Sequence, residues 1–200
     1  MRYLLVFLLG CADVAEPFEL DHPRVMAVRL TPPGLASGET ARIDVLVTDD
    51  EAGPRVAAPD DVEVTTVFGV PIARDDEGWL VTADDREGIV ALDIRARVGG
   101  EDLHAQKTVA LGAHADNPAA PAIVGALTEL APDRDVVLAP ELIDPMLSYR
   151  WFSSIGDLSG YTRPEVTLEP IAGARGTIGL VVRDQAGGTA WVLAPAEVLP

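Results

Sequence analysis

The 200-residue sequence holds one cysteine, three histidines and only 5% aromatic residues. A single thiol, Cys11, allows no internal disulfide, so an exported fold must hold by packing alone, which favours well-patterned sheets. Basic residues number 15 against 32 acidic ones, a formal net charge of -17. A chain this negative repels nucleic acid and anionic lipid headgroups, and neither is expected as a partner. Lys107 is the single lysine among the basic residues, a bias that fits a GC-rich bacterial genome and carries no function. His22, His104 and His114 are scattered, with no second histidine at ligand spacing, so no metal ligands are assigned. There is no Gly-x-Ser-x-Gly elbow and no phosphate-binding glycine loop. No catalytic residue, no cofactor and no enzymatic activity are expected, because function must be argued from a site and none is visible. Helical periodicity is missing over any useful length.

What is present begins with Met1 to Cys11. Arg2 precedes an unbroken apolar run that is far too short for a membrane span of about 20 residues but suits the core of a secretory signal. Leu8-Leu9-Gly10-Cys11 resembles the lipobox of bacterial lipoproteins, with Leu9 where a smaller residue is commoner. The resemblance implies cleavage after residue 10, lipidation of Cys11 and a cell-envelope protein anchored to the outer or inner membrane, facing the periplasm or the cell exterior. Residues 11–22 are acidic and broken by proline, and read as a tether.

From Pro23 the pattern is of short strands. Ala41, Ile43, Val45 and Val47 alternate with the outward set Arg42, Asp44 and Thr48, as a half-buried strand requires. Val62, Val64, Thr66 and Phe68 form another inward face. Val90, Leu92, Ile94, Ala96 and Val98 form a third, leading through Gly99-Gly100 to a return strand from Leu103 to Leu111.

An internal repeat organises these strands. A gapless shift of 88 residues sets Gly88 to Leu111 on Gly176 to Leu199, pairing Leu92 with Leu180, Arg95 with Arg183, Gly99 with Gly187 and Leu111 with Leu199. Upstream, Val62, Val64 and Thr66 fall on Leu147, Tyr149 and Trp151. Each copy spans about 80 to 90 residues with turn signals every 8 to 12, the spacing of an antiparallel sandwich. The expected architecture is all-β: two tandem antiparallel sandwiches after a signal peptide, over residues 23–111 and 121–200. A short linker, 112–120, is expected to hold them end to end.

Leu147 to Phe152, followed by Gly179 to Gly188, resembles immunoglobulin-like and PKD-like modules of bacterial surface proteins. That likeness implies a core position for Trp151 between the sheets, leaving Phe152 on the opposite, less critical face. The first copy departs from it, with Thr66 at the tryptophan position and Ala96 where the second has Asp184.

The expected function is a lipid-anchored structural or binding module whose ligand is a protein or a glycan. The alternative is a calcium-dependent adhesion module, since Asp49-Asp50-Glu51, Asp60-Asp61, Asp75-Asp76-Glu77 and Asp84-Asp85 sit in loops and calcium prefers clustered carboxylates. No Asp-x-Asp-x-Asp-Gly loop accompanies them.

Overall fold

The computed structural model describes residue 20 and residues 22–49, 52–66, 69–125 and 127–200. The signal segment, Cys11 and Phe68 lie outside that set. The first sandwich comprises β1 (Arg24–Thr31), β2 (Gly34–Leu35), β3 (Thr40–Thr48), β4 (Arg55–Val56), β5 (Val62–Thr66), β6 (Ile72–Asp75), β7 (Gly78–Thr82), β8 (Gly88–Val98) and β9 (Glu101–Leu111). One sheet runs β1-β3-β7-β6, with β4 against β3, and the other β2-β9-β8-β5. The second sandwich comprises β10 (Ile123–Val124), β11 (Val136–Pro140), β12 (Ser148–Ser153), β13 (Gly156–Ser159), β14 (Val166–Pro170), β15 (Arg175–Arg183) and β16 (Thr189–Glu197). Its sheets run β10-β11-β14-β13 and β12-β15-β16. The second has the four-plus-three strand layout of an immunoglobulin-like sandwich, the first has sheets of five and four strands, and the chain is all-β with two immunoglobulin-like sandwiches in tandem.

Alternation builds both interiors. Ile43, Val45 and Val47 face Val64, Leu92 and Ile94 in the first core, while Leu138, Trp151, Leu168 and Leu180 fill the second. Outward residues of the first sheet form ion pairs, Arg29 with Asp44 at 2.8 Å and Arg42 with Asp75 at 3.0 Å. Trp151 is fully buried, and its indole Nε1 donates to the Arg163 carbonyl at 3.0 Å, which satisfies the one polar atom of the ring.

The repeat holds on one side of each terminal hairpin and fails on the other. Thr66 pairs with Leu92 and Trp151 with Leu180, so the two positions are equivalent in register as well as in sequence. The first hairpin closes through the two residues Gly99-Gly100, both at positive φ (57° and 83°), as a type I′ turn demands. The second closes through five, Asp184 to Gly188, so Gly176 pairs with Ala196 rather than with Leu199. The longer loop consumes three residues and flips the return strand's inward set under the gapless alignment. Leu111 is accordingly buried, while Leu199 lies beyond β16 and is exposed.

The sandwiches meet along their sheet faces, where an end-to-end arrangement was expected. Leu46 and Ala27, on the outer face of the β1-β3 sheet, pack with Leu20 against Phe152, Val181 and Trp191 from the outer face of β12-β15-β16. Phe152 is as fully buried as Trp151, and the reason is this covering sheet. Its ring occupies the space above Gly179, where a Cβ would stand 2.0 Å from the ring. Thr48, expected outward, is also fully buried, two residues along from Leu46 on the same face.

Polar groups frame the contact. A bulge inserts Met26 between the pairs Val25–Val47 and Ala27–Leu46, and the Met26 carbonyl accepts from the Arg183 guanidinium at 3.0 Å. The Arg29 guanidinium stacks 4.2 Å from the Trp191 ring centroid. Asn117 of the linker bridges both units: its amide donates to the Leu30 carbonyl at 2.6 Å and its oxygen accepts the Thr189 N–H at 2.8 Å. Gly112 and Ala115 donate backbone bonds to Leu35 and Gly34. The linker is thus stitched to the first sandwich along much of its length.

Candidate functional site

The loop between β11 and β12, residues 141–147, reads Glu-Leu-Ile-Asp-Pro-Met-Leu. Its apolar residues follow no strand or helix period, and two prolines, Pro140 and Pro145, keep it from extending either neighbouring strand. Leu142, Ile143 and Met146 are 79%, 45% and 60% exposed. The loop is nevertheless fixed at both ends. The Tyr149 hydroxyl accepts the Asp144 N–H at 2.8 Å and donates to the Asp144 carbonyl at 3.0 Å. The Asp144 carboxylate accepts the Met146 N–H at 2.8 Å, Leu147 N–H reaches the Asp144 carbonyl at 3.1 Å, and Glu141 N–H donates to the Ala122 carbonyl at 2.8 Å.

Beside this loop runs a groove of about 560 Å³. Buried Tyr149 and Val182 form its base. Pro118 to Ala122, from the end of the linker into the start of the second sandwich, make one wall, Leu142 and Leu147 the other, and Glu141 and Asp144 bring carboxylates to it. The β15–β16 loop closes on the same end, since a Cβ on Gly188 would stand 2.9 Å from Pro118. Two connecting loops and the linker therefore converge on one end of the second sandwich, the position from which this scaffold commonly presents its variable loops.

A second feature is electrostatic. Lys107 on β9 donates its ammonium to the Gly187 carbonyl and to Thr189 Oγ1 at 3.1 Å, across the contact between sandwiches. Burial, with a smaller contribution from Arg183 and an opposing one from Asp184, lowers its pKa to about 8. At the other side of the linker, His114 Nδ1 lies 3.1 Å from Glu39 and Nε2 lies 3.3 Å from Asp116. Those contacts, Glu39 first, raise the imidazole pKa above its ordinary value.

The acidic loops are dispersed, and several of their carboxylates are engaged by arginine. Asp49 is buried and pairs with Arg55 at 2.6 Å; Asp60 pairs with Arg74; Asp84 pairs with Arg86 at 2.6 Å. Asp75 accepts from Arg42 and from the N–H groups of Glu77 and Gly78, which hold its pKa down at about 2. Among the described residues no three His, Cys, Asp or Glu side chains gather as metal ligands would. On the outer face of β5-β8-β9 the charged groups also find local partners, Arg97 pairing with Asp102 and Asp93 accepting a hydrogen bond from the Gln106 amide.

Cys11, assigned to lipidation, lies outside the described residues. Sequence reasoning passed over the loop 141–147 and the residues of the sandwich contact. The apolar Leu-Ile and Met-Leu pairs flanking Asp144-Pro145 were the available signal for the loop.

The Ig1-2 module of the Drosophila receptor protein tyrosine phosphatase DLAR is 12% identical and matches with a TM-score of 0.34, covering 90% of this chain and 100% of that one. A chimeric titin Z1Z2-Z1Z2 tandem is 16% identical at a TM-score of 0.32, covering 89% and 100%. Murine CEACAM1b is 12% identical at 0.33, covering 86% and 100%. These likenesses concern fold only, and the strand order and register above carry the assignment. No family model and no curated protein matches the sequence.

Proposed function

We propose that the chain is a bacterial envelope lipoprotein, anchored through Cys11, whose paired immunoglobulin-like sandwiches present a recognition surface for a protein or glycan. The observation that supports the recognition role is the fixed loop 141–147 with its three exposed apolar side chains beside a groove. Contiguous exposed apolar surface costs solubility and marks interaction sites, and a loop already held by hydrogen bonds loses little entropy when a partner covers it. The lipid would keep that surface at the membrane while the acidic body stays clear of anionic headgroups.

Two measurements test the halves of this reading. Cys11→Ala should shift the protein from the membrane to the soluble exported fraction, and retention after carbonate and salt washing would remove the anchor. Crosslinking in native membranes should capture a partner that Leu142→Ser/Met146→Ser loses and Ile89→Ser, an exposed apolar change on β8, keeps. Equal capture by both variants would remove loop 141–147 as the recognition surface.

A further inference from the structure

Resting on that recognition reading, we infer that the groove beside loop 141–147 takes a short protein segment in which apolar side chains alternate with cationic ones. The groove is mostly apolar, with Pro118, Leu142, Leu147 and Tyr149 around it, and it is large enough for a few side chains. Its charged lining residues are Glu141 and Asp144, with no lysine or arginine among them. Glu141 is exposed, while Asp144 is half-buried and already accepts the Met146 N–H. An entering cation therefore meets Glu141 first, with the rest of the -17 chain behind it. An acidic segment would meet only repulsion at the same rim, and complementarity of this kind selects partners more than it adds affinity. The same carboxylates oppose docking on an anionic bilayer, which favours a peptide over a membrane as the occupant.

The probes are two capped hexapeptides, alternating leucine–arginine and leucine–glutamate, titrated into the full chain, with amide shifts followed by NMR. The leucine–arginine peptide should move the amides of Ala119, Ala120 and Ala122 and those of the non-proline residues of loop 141–147. Glu141→Gln should weaken it about two- to fivefold, as for one exposed charge pair, and rising salt should do the same. Leu142→Ser should abolish binding, and the leucine–glutamate peptide should leave these amides unmoved. Equal binding of both peptides, shifts located elsewhere, or shifts produced only by phosphatidylglycerol vesicles would overturn the inference. If neither peptide binds while crosslinked capture still depends on Leu142 and Met146, the ligand chemistry is wrong and the recognition surface stands. Loss of both results would remove the two together.

Discussion

Trp151 and Phe152 are adjacent in β12 and equally buried, yet they belong to different cores. The alternation of the strand sends the indole into the second sandwich and the phenyl ring out against the first. What makes the outer face an interior is a sheet from elsewhere in the chain.

Substitutions at the two positions should therefore fail in different ways. Trp151→Ala should cost about 3 to 5 kcal/mol by leaving a cavity inside the second sandwich, together with an unpaired Arg163 carbonyl. Phe152→Ala should cost a comparable amount, but its damage should fall on the contact between sandwiches. Denaturant melts should show Trp151→Ala unfolding the second sandwich first, and Phe152→Ala broadening the transition into two steps. A Phe152→Ala protein within about 0.5 kcal/mol of wild type would mean that the faces do not meet.

Much of this fold is legible in the sequence, because period-two alternation assigns a side to nearly every strand residue. The inward residues Ile43, Val62, Val64, Leu92 and Leu180 are buried, Thr66 is half-buried, and the match of Thr66 with Trp151 survives in the pairing register. Alternation cannot say what covers an outward face. Leu46, Phe152, Val181 and Trp191 are outward by period and buried by a partner distant in sequence, so the end-to-end reading followed naturally from a short linker. Glycine pairs likewise mark a turn without fixing its length, and the three-residue difference between Gly99-Gly100 and Asp184 to Gly188 escaped a gapless comparison. The loop at 141–147 has no period, and its importance comes from the groove that the linker builds beside it.

Lys107 offers a direct readout, because the chain has no other lysine. Its side-chain carbon resonances should titrate at about 8, against about 10.4 for a free lysine. The folded protein releases this proton at lower pH than the unfolded chain does. Between about pH 8 and 10 the unfolded state consequently binds more protons, and the lysine's contribution makes stability rise with pH. Lys107→Met should flatten that rise over the same window. A midpoint near 10.4 would place the ammonium in open solvent and away from Gly187.

His114 should respond in the opposite sense. Its pKa is raised in the folded state, so the stability it contributes is fully present below about pH 6.5 and is lost as pH rises through the folded value. An imidazole titration by NMR should give a midpoint above 6.5, and Glu39→Gln should lower it, since Glu39 is its main partner. A midpoint unchanged by Glu39→Gln would detach the linker histidine from Glu39, the residue that precedes β3.

Small-angle X-ray scattering of the soluble Cys11→Ala protein tests the face-to-face arrangement most directly. With the sheets packed through Phe152 and Trp191, the distance distribution should have a single maximum and the radius of gyration should lie close to the roughly 16 Å of one compact body of about 180 residues. Phe152→Asp, which places a charge in that contact, should lengthen the distribution. A wild-type curve with two separated maxima, unchanged by Phe152→Asp, would contradict the account and restore two sandwiches strung end to end.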